Sequence, residues 1–181
     1  NSYIVGTDRA GNTVDSSTST VVIDRTPPTG SLTVTGSLVD GTQSTSYTAR
    51  TGVILDTSSA SDSQGVSHMR FGTTPDEARN ASAVGYATSY SYTLLSGDGS
   101  KTVYVCYRDS LGNWSEPIAS NAITLDQTLP VVNSFTATGN TSRSDFTGST
   151  NITLNISASD TTSGMNQMQF QNNGDSWSGW E

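Results

Sequence analysis

The feature that most constrains the fold of this chain is an internal repeat with a period of about a hundred residues. The motif Asp-x-x-Gly-Asn occurs at 8–12 and again at 109–113. The segment that follows also recurs, as VVIDRTPP (21–28) and AITLDQTLP (122–130). A chain with such a period is built from copies of one folding unit, so a fold assigned to one copy must suit the others.

Further matches place the second unit against a third. LTVTG (32–36) matches FTATG (135–139), and ASDSQGVSHMRF (60–71) matches ASDTTSGMNQMQF (158–170). The whole register predicts three segments, which are the C-terminal strands of one repeat (1–28), a complete repeat (29–130) and the N-terminal strands of a third repeat (131–181).

The two partial segments do not add up to one whole repeat, because a counterpart of YATSYSYTLLSGDGSK (86–101) is missing from both. We interpret the chain as a window cut from a longer array. The alternative is a head-to-tail exchange of strands, in which the first strands of one chain complete the last unit of an identical chain.

Strand signals dominate the complete repeat. Short runs rich in Val, Ile, Thr and Tyr alternate with clusters of Gly, Asn, Asp and Ser. The helical candidate is PDEAR (75–79), a single turn. Strands are predicted near 31–36, 47–57, 66–72, 87–95, 101–108 and 117–125. The fold class is therefore all-β, with one complete and two partial β-sandwiches in tandem.

Alternation along these strands selects the side chains that are predicted to face the core. In the complete repeat they are the pairs Leu32 and Val34, Val53 and Leu55, Met69 and Phe71, Tyr104 and Cys106, and Ile123 and Leu125. The pairs in the partial repeats are Tyr3 and Val5, Val21 and Ile23, Phe135 and Ala137, Ile152 and Leu154, and Met168 and Phe170.

The two recurring motifs have local physical explanations. In Asp-x-x-Gly-Asn, the Asp accepts hydrogen bonds from amides further along the turn, the Gly takes positive φ, and the Asn tolerates left-handed geometry. The motif therefore predicts a turn between the last two strands of a unit. The linkers IDRTPPTG (23–30) and LDQTLPVV (125–132) contain prolines that restrict the backbone, which predicts a short, semi-stiff joint.

The composition argues against several classes of function. The net charge is −8 with eight Lys and Arg residues, so a nucleic-acid partner is not expected. No apolar run is long enough for a membrane-spanning helix. His68 is the single histidine, and neither a G-x-S-x-G motif nor a pair of glycosidase-like carboxylates is evident. We expect a chain that is not an enzyme.

The segment DGSKTVYVC (98–106) resembles the part of immunoglobulin-like domains where a turn precedes a strand carrying Tyr-x-Cys. Tyr104 and Cys106 take those two positions. The likeness implies that the Tyr104 hydroxyl binds nearby backbone at a corner between sheets. Cys106 is the single cysteine, so we expect it to be a small buried hydrophobe rather than half of a disulfide.

Four motifs together resemble bacterial and archaeal immunoglobulin-like, fibronectin-III-like tandem repeats. They are the VYV strand, the D-x-x-G-N turn, the strand ending in (I/L)D-x-T-x-P and the SASD…WSGWE segment. Such repeats occur in large surface or secreted proteins, including adhesins, and the resemblance covers essentially the whole chain.

The family likeness implies tandem immunoglobulin-like sandwiches at an extracellular or cell-surface location. Their role would be that of a non-catalytic spacer or stalk in an adhesin or surface fibre. The expected partners are neighbouring repeats of the same chain, or identical chains joined head to tail. The alternative is a carbohydrate- or matrix-binding module of a secreted multidomain protein.

No cofactor is required by this reading, but calcium at the domain junctions is a hypothesis that the resemblance suggests. Ca²⁺ prefers six to eight oxygen ligands, largely from carboxylates, carbonyls and Asn side chains. The candidates are Asp8 and Asp24 at the first joint and Asp109 and Asp126 at the second. Asp62 and Asp160, in the loop after the second long strand, are expected to face a neighbouring unit.

Two further kinds of surface site are predicted. The glycosylation sequon Asn-x-Ser/Thr occurs at Asn80, Asn113, Asn140, Asn151 and Asn155. Trp114 follows the second turn, where an exposed ring would stack on a sugar, the contact that the carbohydrate-binding alternative requires. The other interpretation of Trp114 is packing over a sheet edge or a domain joint.

Overall fold

Strands carry almost all of the regular structure in residues 4–15, 21–141 and 146–181, which the computed structural model describes. In chain order, the elements are β1 (Val5–Thr7), β2 (Thr13–Asp15), β3 (Thr33–Ser37), β4 (Gln43–Ser44), β5 (Tyr47–Thr48), β6 (Gly52–Asp56), β7 (Val66–Gly72), α1 (Pro75–Asn80), β8 (Val84–Gly85), β9 (Ser89–Thr93), β10 (Gly99–Lys101), β11 (Tyr104–Asp109), β12 (Ile118–Ala119), β13 (Ile123–Leu125), β14 (Val131–Thr138) and β15 (Thr153–Ser159). The all-β prediction is confirmed.

Strand pairing among these elements falls into three groups along the chain. β1 pairs with β2, and β14 pairs with β15, each as an antiparallel hairpin. Between them, strands β3 to β13 form three sheets, with the orders β4-β3-β6-β9, β12-β11-β7-β8 and β10-β13-β5. All pairs are antiparallel except β13 with β5, which is parallel.

The central group packs its sheets onto one hydrophobic core, as a sandwich does. One buried cluster contains side chains from both sides of the sandwich. The side that includes β3 and β6 contributes Leu32, Val34, Val53 and Leu55, and the facing strands contribute Met69, Val103, Val105, Tyr107 and Ile123. The inward choices of Leu32 and Val34, Val53 and Leu55, and Ile123 and Leu125 are therefore confirmed. Met69 is fully buried, and Phe71 packs against the cluster while partly exposed.

The Tyr104 and Cys106 face assignment was wrong. Val103, Val105 and Tyr107 point to the core, so Tyr104 and Cys106 lie on the opposite face of β11. Cys106 is nevertheless buried, as expected for a small hydrophobe. The reason is that the outer face of this sheet is also covered, so alternation gives no contrast between the two faces of β11.

The cover on that outer face is α1, the single helical turn that the sequence predicted. Thr74 is its N-cap, Pro75 begins it, and Ala78 is fully buried. The helix lies so close to β7 that a Cβ added at Gly72 would meet the backbone nitrogen of Ala78 at 2.4 Å. None of the helices in the described residues is long and apolar enough to cross a membrane.

Two predicted strands are each divided between different sheets. The 47–57 strand divides into β5 and β6 around Thr48, whose hydroxyl donates to the Arg50 carbonyl at 2.8 Å. The 117–125 strand divides into β12 and β13 at Asn121. The Asn121 amide accepts from the Val34 nitrogen at 2.7 Å and donates to the Val34 carbonyl at 3.1 Å, so a side chain replaces a rung of the backbone ladder.

The register of the hairpins repeats that of the central group. Val34 lies opposite Leu55, and its counterpart Ala137 lies opposite Leu154. In the same way, the Arg108–Trp114 bridge corresponds to the pair that Thr7 and Thr13 form between β1 and β2.

The apolar side chains of the two hairpin groups are largely exposed, in contrast to their counterparts in the central group. Val5, Val21, Ile23, Phe135 and Ile152 are at least half exposed. Tyr3 lies outside the described residues. Met168 and Phe170, predicted to lie on a strand, are in irregular structure, where their backbones exchange hydrogen bonds with Glu181 and Ser178.

Candidate functional site at the repeat joint

The turn at 109–113 is organised by one buried carboxylate. Oδ1 of Asp109 accepts hydrogen bonds from the amides of Leu111, Gly112 and Asn113, and Oδ2 accepts one from the Asn113 side chain at 2.6 Å. Gly112 has a φ of 104° and supplies the left-handed step that the turn requires. Burial alone would raise the pKa of Asp109, but the hydrogen bonds from Asn113, Gly112 and Leu111 outweigh it and lower the pKa.

The first copy of the motif forms the same turn in an exposed setting. Asp8 accepts from the amides of Ala10 and Asn12 and from the Asn12 side chain, and Gly11 has a φ of 87°. The predicted roles of Asp and Gly are confirmed. The left-handed geometry that Asn tolerates is not used at Asn12 or Asn113, because no residue other than glycine has positive φ in the described parts of the chain.

The linker before the central group is fixed onto it by Asp24. The Asp24 carbonyl accepts from the Asn113 side chain at 3.1 Å, and its Oδ2 accepts from the Ser63 hydroxyl at 3.0 Å. Pro28 is buried, and Thr29 exchanges two backbone hydrogen bonds with Ser61. The turn at 109–113 thus serves a second purpose, since Asn113 joins it to the incoming linker.

Three carboxylates meet at this joint, namely those of Asp24, Asp62 and Asp109, with their oxygens within 4.8 Å of one another. The sequence had grouped Asp8 with Asp24 and Asp109 with Asp126. The structure instead brings Asp24 to Asp109 and adds Asp62, because the linker folds back onto the turn of the unit that follows it.

These three carboxylates are the described residues that offer Ca²⁺ the best set of charged oxygens. Each already has protein donors, however. Oδ1 of Asp109 accepts three amides, Oδ1 of Asp62 accepts the Gln64 amide, and both oxygens of Asp24 accept hydrogen bonds. The arrangement is a hydrogen-bonded acidic joint in its own right, and calcium binding at it stays a prediction.

The second joint uses a different clamp. Asp126 accepts from the Thr128 amide, as Asp24 accepts from Thr26. Asp98 binds the outgoing linker, accepting from the Gln127 amide at 2.9 Å and from the Thr128 hydroxyl. These two donors, Thr128 first, lower the pKa of Asp98, while desolvation and, to a smaller extent, the negative charge of Asp160 oppose the shift.

Trp114, which directly follows the 109–113 turn, is half-buried rather than freely exposed. The guanidinium of Arg70 lies 3.6 Å from the centroid of its ring, and that of Arg108 lies 5.8 Å away. Cation–π contact therefore already occupies the ring face that a sugar would need.

An open groove of about 480 Å³ offers a different apolar surface, between α1 and the end of β9. Phe71 and Tyr92 contribute aromatic rings to it, and Leu95 is 63% exposed. The carboxylate of Glu77 at its rim caps α1 by accepting the Thr73 amide at 2.8 Å.

The sequon asparagines differ in how free their side chains are. The Asn113 nitrogen donates both to Asp109 and to Asp24, so a glycan there would break the turn and the joint. Asn80 is exposed but donates to the Asp76 carbonyl at 2.8 Å, and Asn140 accepts from the Gly148 amide at 3.0 Å. Asn151 and Asn155 are exposed on the last hairpin.

Two side chains with catalytic potential are the single histidine and the single cysteine. His68 is half-buried, with Nδ1 at 3.0 Å from the Ser67 hydroxyl. Burial raises the pKa of the Cys106 thiol, which disfavours the reactive thiolate.

No protein-family model, curated protein or solved structure matches the chain.

Proposed function

We propose that this chain is a set of non-catalytic spacer repeats, with an immunoglobulin-like sandwich as the unit, from the stalk of a large extracellular or cell-surface protein. The observation that carries the proposal is the joint at Asp24. A linker that is hydrogen-bonded to the turn and the loop of the next unit limits the angle between units, which is what a spacer requires.

The strand order supports the immunoglobulin-like assignment. β3, β6 and β9 lie in one sheet, β7 and β11 lie in the facing sheet, and β13 pairs in parallel with the short β5. Immunoglobulin-like domains also carry a Tyr whose hydroxyl binds backbone. Here that residue is Tyr107 rather than Tyr104, and its hydroxyl donates to the Ser31 carbonyl at 2.8 Å.

Small-angle scattering at low protein concentration tests the spacer proposal. A compact globule of this length would have a radius of gyration of about 16 Å, and an unfolded chain about 45 Å. We expect a radius of gyration clearly above the compact value and well below the unfolded value. Asp24→Asn should change it little, because the backbone carbonyl that accepts from Asn113 is kept. We expect Asn113→Ala to broaden the distance distribution, because it removes the donor that joins turn and linker. A radius near the compact value would contradict the proposal.

The carbohydrate-binding alternative is favoured by one observation, the groove that contains Phe71 and Tyr92. Its test is binding to a glycan array by the unaltered chain and by Leu95→Asp, which places a charge in the groove. Binding that is lost in Leu95→Asp but kept in Trp114→Ala would assign ligand recognition to the groove. Absence of binding to every glycan would reject this alternative.

A further inference from the structure

We propose that the open edge of β9 is a self-pairing surface, on which β9 of a second copy docks antiparallel to form a twofold dimer. The surface lies in the middle of the complete repeat, far from either end of the chain. The proposal goes beyond the spacer role and does not depend on it.

The edge of β9 has backbone groups that are free to pair. β9 pairs with β6 on one side and is the last strand of its sheet in the described residues. The Leu94 amide donates to the Thr51 carbonyl across this pairing at 2.8 Å, so every second residue of β9 counted back from Leu94 faces β6. The amides and carbonyls of the other three residues point away from the sheet. These exposed residues are Ser89, Ser91 and Thr93.

β9 has none of the features that usually keep a sheet edge from pairing. Its sequence, SYSYT, contains no proline and no charged residue, and its register with β6 has no bulge. It is five residues long, whereas the other edge strands of the central group, β4, β5, β8, β10 and β12, have two or three. β9 is therefore the longest open edge of the complete repeat, and an edge of this kind fits an extended strand.

The occupant that fits this edge is a second copy of the same strand, because the sequence of β9 is symmetric about Ser91. An antiparallel copy with Ser91 opposite Ser91 places Ser89 opposite Thr93 and Tyr90 opposite Tyr92. In this register each of the three free residues enters a hydrogen-bonded pair, and each pair exchanges two backbone hydrogen bonds. A shift by two residues would lose one of these pairs, so the twofold register is the best one.

The side chains of β9 agree with the same register. Tyr90 and Tyr92 are partly buried against the core, and the Phe71 ring stacks on Tyr90 with the centroids 4.9 Å apart. In the dimer, Tyr90 of each copy lies opposite Tyr92 of the other in a non-hydrogen-bonded pair, the closer kind, where aromatic side chains stabilise a sheet. On the outer face hydroxyl side chains meet hydroxyl side chains, so no charge is set against its like.

The contact is isologous, so it closes at two chains and joins four strands of each copy into one continuous sheet. One strand from each copy makes a small interface, and each copy has a net charge of −8. The association is therefore weak, and it strengthens as salt screens the repulsion between the copies.

Sedimentation velocity of the full chain, from micromolar to submillimolar concentration, tests the pairing with two variants and two controls. Ser91→Pro removes the amide at the twofold axis, at an edge position whose N–H does not face β6 and where proline is tolerated. Ser91→Lys keeps that amide and sets two like charges opposite each other. Ser91→Ala keeps the backbone unchanged, and Val39→Lys, 82% exposed in the turn before β4, adds the same charge elsewhere. Circular dichroism checks that each variant is folded.

We expect the unaltered chain and both controls to form dimers. Ser91→Pro and Ser91→Lys should associate at least about tenfold more weakly, because the central pair of hydrogen bonds is lost or opposed by charge. If Ser91→Pro disturbs folding, Ser91→Lys alone decides the comparison.

Cross-linking tests the register itself. Ser91→Cys should form a disulfide-linked dimer under mild oxidation, because the Cα atoms of a hydrogen-bonded pair lie about 5.5 Å apart, within the reach of a disulfide. Ser89→Cys should not, because Ser89 faces Thr93 of the second copy. A monomeric unaltered chain, dimers that Ser91→Pro and Ser91→Lys leave intact, or equal cross-linking at 89 and 91 would overturn the proposal. The scattering radius of the dilute, monomeric chain reports on the spacer function separately.

Discussion

Replacing Tyr107 by Phe removes one hydroxyl from the centre of the sandwich and leaves the ring in place. Tyr107 is fully buried, its ring packs edge-on against Tyr86, and its hydroxyl donates to the Ser31 carbonyl at 2.8 Å. The bond joins β11 to the segment that enters the unit, 76 residues earlier in the chain. Its loss should weaken the contact between the two ends of the fold.

The size of the effect follows from what the Ser31 carbonyl retains. That oxygen also accepts from the Ser59 hydroxyl at 3.3 Å, and Ser31 is exposed. The carbonyl is therefore not left unsatisfied, and the cost is that of one net hydrogen bond, about 1 kcal/mol. In a folding unit of about a hundred residues, this loss corresponds to a decrease in Tm of about 4–8 °C.

Urea denaturation at neutral pH, followed by circular dichroism, measures the free energy of unfolding of Tyr107→Phe. Tyr104→Phe is the matched control, because Tyr104 is partly exposed and its hydroxyl has no hydrogen bond among the described residues. We expect the control to change stability by less than about 0.5 kcal/mol. An equal or larger loss in Tyr104→Phe would refute the face assignment of β11.

Four other outcomes are expected. Gly36→Ala should cost about 1–3 kcal/mol in urea denaturation, because its Cβ would lie 2.3 Å from the Thr48 Cβ, whereas Gly52→Ala, with open space around it, should be nearly neutral; equal costs would contradict the packing at Gly36. Acid should destabilise the fold, because hydrogen bonds lower the pKa of Asp98 and Asp109 in the folded chain. The stabilisation from these two carboxylates is complete above the unfolded pKa of about 4 and is lost as the pH falls through their lower folded pKa values. A urea midpoint that rises on acidification would exclude this linkage. The calcium hypothesis requires a higher Tm in calcium than in chelator, an increase that Asp62→Asn should reduce, and an identical Tm in both would reject it. Native material should have no glycan at Asn113, and a glycopeptide containing that residue would contradict the joint geometry.

The turn and the core pairs were predictable because their determinants are local. Asp109, Gly112 and Asn113 lie within five consecutive residues, and the alternation of Val53 and Leu55 is visible along one strand with one exposed face. The same alternation failed on β11, since α1 covers its outer face and leaves apolar residues on both sides.

The divided strands and the joint could not be predicted, because their determinants are distant in sequence. Asn121 interrupts its strand by binding Val34, which is 87 residues away. The carboxylates of Asp24 and Asp109 lie close together because Asn113 binds the linker to the turn. No sequence motif in either segment predicts this contact. The position of Trp114 under Arg70 is non-local for the same reason.

Hydrogen exchange on the dilute chain, read by mass spectrometry, tests most directly whether 29–130 folds as one sandwich while the flanking hairpins stand alone. We expect the amides of β6, β7 and β11 to exchange slowly and together, at the free energy of global unfolding, and those of β1, β2, β14 and β15 to exchange much faster. Equal protection of the hairpins and the central strands, or independent exchange of β6 and β11, would contradict this division of the chain.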